Sequence, residues 1–221
     1  MEHAETVVEY TITELREAIR EGRFAPGQRL VVADVTRSFG VSAGPVREAI
    51  RRLTGEGLID IVPHRGATVR TFSLQEVRDI FDLREVIEGM TARAAARRID
   101  QDDNRERLEA CRDAMEAAVD KPHEYVSGNQ AFHELLYRIA GNGKAVEIAT
   151  QLTLPIYRMQ FHRMMDPDYT RTSMDEHDTV IAAVLAGDEE AAEREMRRHI
   201  RHSGDAMVAA LENAAIKARA G

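Results

Sequence analysis

The sequence predicts a mainly α-helical protein in which three helices and a β-hairpin precede an antiparallel all-helical bundle. Three observations support this prediction. Apolar residues recur at helical spacing along most of the 221 residues, two strand-like runs lie between residues 58 and 70, and Gly, Pro and Asp interrupt the helical pattern at short intervals. Because Ser73 opens a capping-box pattern, we place a domain boundary there and predict domains over 1–72 and 73–221.

The N-terminal domain is predicted to contain three helices. Their ranges, each followed or ended by a glycine, are 5–21, 32–39 and 43–54. Ser42 is expected to cap the third helix, since a serine oxygen can accept a hydrogen bond from the backbone of the first turn. Pro45 fits the start of that helix because its missing N–H would have no helical partner there.

A β-hairpin is predicted directly after these helices. Two β-rich runs, 58–62 and 67–70, flank the basic segment Pro63-His64-Arg65-Gly66, which is typical of a turn. Three helices followed by a small hairpin are the plan of a winged helix-turn-helix. In this motif the second helix of the pair enters the major groove of double-stranded DNA.

The rest of the chain is predicted to be entirely helical. The predicted helices cover 74–98, 102–120, 122–140, 143–165, 169–186 and 188–216. Short loops between long amphipathic helices indicate an antiparallel bundle.

Composition excludes several classes of protein. No apolar stretch approaches the roughly 20 residues that span a bilayer, so no membrane partner is expected. The first residues lack the basic start and apolar run of a secretory signal, and the single Cys111 excludes a framework of intrachain disulfides. A cytoplasmic location is therefore expected.

The net charge of −8 is unevenly distributed along the chain. Residues 1–70 hold ten Arg and ten acidic residues, whereas residues 37–70 hold six Arg and only three acidic residues. A basic patch on a neutral domain, joined to an acidic domain, is typical of a DNA-binding module with an attached domain of another function.

Arg47 is the first choice for a contact with DNA, because it lies beside the buried stripe of the predicted recognition helix. Any one arginine is more often a solvated charge, but their concentration on the recognition helix and hairpin favours DNA binding. The full set of predicted DNA-binding residues is Arg37, Ser42, Ala43, Gly44, Arg47, Arg51, His64, Arg65 and Gly66.

The region from Leu15 to Val69 resembles the GntR family of regulators. The matching segments are Pro26-Gly27-Gln28-Arg29-Leu30, Phe39-Gly40-Val41-Ser42, Pro45-Val46-Arg47-Glu48-Ala49-Ile50, Gly55-Glu56-Gly57-Leu58 and Gly66-Ala67-Thr68-Val69. The family usually carries an Arg-Thr pair after the serine, where this chain has Ala43-Gly44. If that arginine reads a guanine edge, its absence removes about 1–3 kcal/mol of discrimination, so the family's operator sequence does not carry over.

Polar residues of the kind that bind metals lie on predicted buried faces of the second domain. Asn129 and His133 are four residues apart and share one helix face, while His177 and His199 lie on two later helices. Imidazole nitrogens with one carbonyl oxygen suit zinc, nickel or manganese. From spacing alone, an inward histidine is more often a hydrogen-bonded core residue.

Residues 73–215 resemble the FCD ligand-binding domain of the FadR subfamily. The matching segments include Leu83-Arg84-Glu85-Val86-Ile87-Glu88, Asn129-Gln130-Ala131-Phe132-His133, Glu176-His177 and Met196-Arg197-Arg198-His199. The resemblance implies that Asn129, His133, His177 and His199 bind a divalent metal ion. Asn at residue 129, where the family has Asp or Asn, carries no charge and is expected to bind a cation somewhat more weakly than Asp.

Arg84 lies on the predicted buried stripe of its helix, and a buried guanidinium needs a partner. Two partners are open: Glu88, one turn later, or the carboxylate of a bound effector held by Arg84 and the metal. Similar proteins bind small organic acids or sugar acids, and Arg158 and His162 are further candidates for lining such a pocket.

The predicted function is a homodimeric transcriptional regulator, expected to be a repressor, whose operator binding is controlled by a small carboxylate at a metal-containing pocket. A metal-dependent hydrolase using the three histidines is the alternative, although no further acid or histidine stands at an evident general-base position and an enzyme would not need the first 70 residues. Inert histidine packing in a protein-interaction module is a third possibility.

Overall fold

The structure of the protein is a computed structural model that describes residues 6–152 and 166–220. Contacts divide these residues into two compact units, one ending at Phe72 and the other beginning at Ser73. Across the described residues, no helix combines the length and the apolar character that a bilayer crossing requires. The two units are described separately below.

The first unit contains the three helices and the hairpin that the sequence predicts. They are α1 (Val7–Arg20), α2 (Val32–Phe39), α3 (Ala43–Gly55), β1 (Ile59–Val62) and β2 (Gly66–Val69). The strands pair antiparallel, with Ile59 opposite Val69 and Val62 opposite Gly66. Thr6 begins α1 with a capping box, because its hydroxyl accepts from the Glu9 backbone and the Glu9 side chain accepts from the Thr6 backbone.

One apolar core holds this unit together. It joins all three helices to the hairpin through Leu15, Ile19, Val35, Val46, Ile50, Leu53, Leu58, Ile59 and Val69. Gly40 ends α2 in the left-handed conformation that L side chains rarely adopt, which lets the chain turn directly into α3. Ser42 occupies the N-cap position of α3 as predicted, but its side chain forms no capping hydrogen bond, so its expected capping interaction is wrong.

The second unit is helical throughout its described residues, which confirms the predicted fold class. Its helices are α4 (Leu74–Arg97), α5 (Asn104–Ala118), α6 (Pro122–Ala140), α7 (143–152), α8 (Pro167–Leu185) and α9 (Glu189–Ala220). The predicted helix ends are correct to within a few residues, except that the prediction over 153–165 lies outside the described residues. The α8 helix begins two residues earlier than predicted because the Asp166 side chain accepts a hydrogen bond from the Asp168 backbone.

Glycines lie where α4 and α9 pack against each other. A Cβ atom at Gly89 of α4 would lie 2.6 Å from Cγ of Arg197, and a Cβ atom at Gly204 of α9 would lie 2.9 Å from the Phe81 ring. Both distances are shorter than real Cβ contacts, so a Cβ atom at either residue would require the Arg197 or Phe81 side chain to shift. The close pair brings the middle of α4 and α9 to the polar cluster described next.

Candidate metal centre and nucleic-acid interface

Three buried histidines from three helices meet in the second unit. His133 comes from α6, His177 from α8 and His199 from α9, and their potential ligand atoms all lie within 4.8 Å of one another. The Nε2 atoms of His177 and His199 are 3.1 Å apart. Two nitrogens that bind one zinc ion at about 2.0–2.1 Å lie roughly 3 Å apart, so this separation suits a shared ion.

The second nitrogen of each imidazole has a polar neighbour. Glu88 Oε2 lies 2.6 Å from His133 Nδ1, the Tyr125 hydroxyl lies 3.2 Å from His177 Nδ1, and Glu176 Oε2 lies 2.8 Å from His199 Nδ1. Partners of this kind fix the orientation and tautomer of metal-binding histidines. With each Nδ1 facing such a group, Nε2 is the nitrogen of each imidazole that is left available to an ion.

Asn129 lies one turn before His133 on the same face of α6. Its side chain is 7% exposed, and no described residue donates a hydrogen bond to its Oδ1 atom. A buried acceptor without a partner costs about 1–3 kcal/mol, which a bound cation would offset. Three imidazole nitrogens and one carbonyl oxygen form a set that suits zinc, nickel or manganese. The residues therefore fit a divalent ion.

The protonation states also suit a metal. Burial lowers the pKa of His177 well below its ordinary value, and the neighbouring histidines lower it further. Burial likewise lowers the pKa of His199, although its hydrogen bond to Glu176 opposes this shift. Both imidazoles are therefore neutral at pH 7, which is the form that binds a metal.

Glu88 joins the site to Arg84. Burial alone would raise the pKa of Glu88, but Arg84 and His133 outweigh burial and lower the pKa from 4.5 to about 2. Arg84 Nε donates to Glu88 Oε1 at 2.7 Å, and its guanidinium carbon lies 4.9 Å from the centre of the Phe81 ring. Glu88, one of the two partners predicted for Arg84, is therefore in contact with it in the structure. The Nη1 atom of Arg84 is buried without a hydrogen bond to any described residue.

Sequence reasoning did not place Glu88, Tyr125 or Glu176 beside the three histidines. Spacing offered a signal for two of them: Tyr125 precedes Asn129 by four residues on the same helix, and Glu176 is adjacent to His177. Glu88 was considered only as a partner for Arg84. Its contact with His133 depends on how α4 packs against α6, which spacing along one helix does not reveal.

A cavity of about 400 Å³ opens between α8 and α9, beside Glu176. Its lining carries the acidic side chains of Asp166, Asp168, Glu176 and Asp205, so it does not suit an organic acid. Arg158 and His162, the other predicted effector-binding residues, lie outside the described residues.

The predicted DNA-binding residues of α3 lie on its exposed side or at its start. Ser42, Gly44 and Arg47 are exposed, and Ala43 is half-buried. Arg51 is also exposed, but one of its guanidinium nitrogens lies 2.6 Å from both carboxylate oxygens of Glu48. Hydrogen bonding to Glu48 raises the pKa of Arg51. Arg51 is thus partly neutralised, whereas Arg47 forms no ion pair with any described residue.

The hairpin tip presents the other predicted contacts. His64, Arg65 and Gly66 are all exposed, and nothing lies within 4 Å of a Cβ atom placed at Gly66. His64 and Gly66 both have positive φ angles, 63° and 77°, which produce a narrow tip. Arg37, on α2, is exposed and lies 3.3 Å from Asp34.

Comparisons of the sequence with known families and proteins agree with the geometry of both units. Residues 8–69 match the family described as bacterial regulatory proteins, gntR family, and residues 79–202 match the FCD domain. The chain is 30% identical to the HTH-type transcriptional repressor GlaR of Escherichia coli over 199 residues, which cover 84% of this chain and 89% of GlaR. It is 29% identical to the repressor RspR of the same species, over 87% of this chain and 85% of RspR.

Solved structures share the fold. A GntR transcriptional regulator from Rhodococcus superimposes with a TM-score of 0.76 at 20% identity, covering 92% of this chain and 98% of that one. Escherichia coli McbR/YncC superimposes with a TM-score of 0.75 at 20% identity, covering 89% of this chain and 94% of that one. At this identity, the likeness extends to the fold alone.

Proposed function

This chain belongs to the gntR family of bacterial regulatory proteins and carries an FCD domain, and from that premise we propose that a small carboxylate controls it through a metal centre. It is a DNA-binding transcriptional regulator. The family and its named relatives are regulators and not enzymes, which excludes the metal-dependent hydrolase. We assign residues 1–72 to DNA binding and 73–221 to effector binding and dimerisation. Repression is proposed because GlaR and RspR are named repressors.

One observation carries the proposed metal site. Three buried imidazoles converge with each Nδ1 beside a polar group, while Asn129 Oδ1 is buried without a described partner. A purely structural histidine cluster would be expected to satisfy that oxygen. Zinc, nickel or manganese held by Asn129, His133, His177 and His199 would bind a carboxylate oxygen directly.

Charge favours an acid as the effector. Arg84 balances Glu88 beside the histidines, so a divalent ion would leave the cluster with excess positive charge. The unpaired Nη1 atom of Arg84 offers a further donor to an anion. We therefore propose a small organic acid or sugar acid. Arg158 and His162 remain proposed pocket residues.

The DNA partner is proposed to be an operator with two symmetric half-sites, bound by a homodimer. Arg47 would contact a base or phosphate in the major groove, and Arg65 of the wing would reach a neighbouring groove. Half-sites of such dimers lie about 34–36 Å apart or at multiples of that distance. Effector binding would change how the two DNA-binding domains fit these half-sites.

Metal content and thermal melting test this function together. Purified protein should contain about one equivalent of metal per chain, and chelator should lower its melting temperature. Acetate, citrate, D-gluconate and D-glucuronate should be screened for stabilisation with and without chelator, since the active acid should stabilise only the metal-loaded protein.

The matched variants are His133→Ala, which removes a proposed ligand, and His123→Ala, which removes an exposed imidazole from the same helix. Only His133→Ala should abolish the response to chelator. If the purified protein contained no metal above trace amounts and chelator left its melting temperature unchanged, the histidines would instead be inert packing residues.

A further inference from the structure

The cavity between α8 and α9 is strongly acidic. At about 400 Å³, it is within the size range of pockets that hold small molecules. Four carboxylates line it, whereas His202 is the one basic side chain among its described lining residues. The carboxylates belong to Asp166, Asp168, Glu176 and Asp205. A concave surface that carries one sign of charge concentrates ions of the opposite sign.

The cations of the protein leave part of this charge uncompensated. Neither Asp168 nor Asp205 forms an ion pair with a described residue. Arg201 interacts electrostatically with Asp205, but its Nη2 atom is bound to Glu85 at 2.8 Å. The carboxylates of Asp168 and Asp205 are therefore available to a cation from solution.

A buried hydroxyl in the cavity wall points independently to a ligand. Ser173 lines the cavity and is 2% exposed, and its Oγ atom accepts no hydrogen bond from any described residue. Its proton can be directed to the neighbouring Tyr125 hydroxyl oxygen, but the lone pairs of Oγ then still have no donor. A buried acceptor without a partner destabilises the folded protein, and a ligand that carries N–H groups would supply the donor.

The spacing of the carboxylates favours an extended cation over a metal ion. Asp168 and Glu176 both lie on α8, and their positions are about 12 Å apart along the helix axis. Within the described part of the chain, three potential metal-ligand atoms converge only at His133, His177 and His199. One small ion would not bridge carboxylates so far apart, whereas the ammonium groups of a linear polyamine are distributed along its length.

We propose that this cavity binds a linear polyamine. Its ammonium groups lie beside Asp168, Glu176 and Asp205 in charge-assisted hydrogen bonds, and one N–H group donates to Ser173 Oγ. The end ammonium groups of an extended triamine such as spermidine have a separation comparable to that of Asp168 and Glu176. The inference goes beyond the proposed function because it requires neither the metal ion nor the organic acid.

The first test is calorimetric titration of the purified protein with spermidine. About 0.15 M salt screens the long-range attraction between the polyamine and the acidic chain. Wild type should bind one equivalent, with and without chelator. Asp168→Asn combined with Asp205→Asn should bind at least about tenfold more weakly, because two charged acceptors become neutral. The control, Glu109→Gln combined with Asp113→Asn, removes the same charge from exposed residues of α5 and should bind like wild type.

The second test fills the cavity and leaves every carboxylate in place. Ala206 is a half-buried lining residue, so Ala206→Lys would provide the cavity with a tethered ammonium group. This variant should lose spermidine binding. The control Ala114→Lys adds the same charge at an exposed residue of α5 and should keep it. Thermal melting shows whether each variant is folded.

Three results would overturn the proposal. Wild type could fail to bind spermidine, or the cavity variants could bind it as well as their α5 controls do, which would indicate general attraction to an acidic protein. Displacement of spermidine by an equal concentration of Mg²⁺ would indicate a site for a compact ion instead. Each of these results would leave the proposed function intact, since that function is measured by metal content and by the response to acids.

Discussion

The Nε2 atoms of His177 and His199 face each other across 3.1 Å inside the helical unit. Both imidazoles are neutral, so one nitrogen can donate a hydrogen bond to the other without a metal. In that hydrogen bond one Nε2 atom carries a proton and the other presents a lone pair. A single ion bound by both residues would instead require a lone pair on each Nε2 atom. His177 then has to carry its proton on Nδ1, facing the Tyr125 hydroxyl. The site can thus exist in two hydrogen-bonding states.

Asn129→Asp should bind zinc about tenfold more tightly, because it replaces a neutral ligand with a charged one. The metal-free variant should be less stable than wild type, since a carboxylate would be buried where Asn129 Oδ1 has no described hydrogen-bond donor. Calorimetric titration with a competing chelator measures the affinity, and urea unfolding of the metal-free protein measures the stability. Equal zinc affinities would remove Asn129 from the ligand set.

Variants of the Arg84–Glu88 pair should affect the stability of the protein and its zinc affinity differently. Arg84→Met should destabilise the protein by about 3–5 kcal/mol, because it leaves Glu88 buried beside a neutral side chain. Adding Glu88→Gln should restore much of this stability. Zinc affinity should nevertheless stay 10- to 100-fold lower in the double variant, since His133 loses the carboxylate at its Nδ1 atom. Recovery of both properties would mean that Glu88 does not orient His133.

Acid should destabilise the metal-free protein in two ranges of pH. The folded pKa values of His177 and His199 are lowered, so the unfolded chain takes up protons first as the pH falls through 6.5, and stability is lost below that value. Glu88 contributes stability above its unfolded pKa of 4.5 that is lost as the pH falls toward its folded pKa of about 2, at most about 3 kcal/mol. Urea unfolding at pH 7, 5 and 3 measures both losses. In Glu88→Gln the free energy of unfolding should change less with pH below pH 4.5 than it does in wild type. The same dependence on pH in both proteins would contradict the lowered pKa of Glu88.

Arg47→Ala should weaken operator binding more than Arg51→Ala does. Losing a base contact costs about 1–3 kcal/mol, and losing a phosphate contact lowers the salt slope by about one. Arg51 is held by Glu48, so its removal should have a smaller effect. Arg52→Ala, which alters an exposed arginine directed toward Glu56, is the control. Fluorescence anisotropy at several salt concentrations measures all three, and a larger loss for Arg51 than for Arg47 would reverse the assignment.

The sequence predicted the elements of the fold well because their ends carry local signals. Gly40 adopts the left-handed conformation that ends α2, and Ser73 and Glu76 form both bonds of the capping box that begins α4. Such signals depend on a few neighbouring residues, so they can be recognised without the tertiary structure. The missing side-chain bond at Ser42 shows that even a favourable residue type does not ensure the contact.

The histidine cluster was predictable only in part. Spacing placed Asn129 and His133 on one face, but the convergence of His177 and His199 with them came from resemblance to a family. Glu88 illustrates what remained hidden, because its second oxygen meets a histidine on another helix. Contacts of this kind depend on how helices cross, and helical periodicity indicates only which faces are buried.

The contact between Gly89 and Arg197 bears on the proposed metal centre. Gly89 adjoins Glu88 on α4, and Arg197 precedes His199 by two residues on α9. A methyl group at residue 89 would force the Arg197 side chain to move, and so change how α4 and α9 pack here, without touching any proposed ligand. Zinc, nickel and manganese differ in radius and preferred coordination number, so preference among them is expected to depend on a glycine that binds none of them.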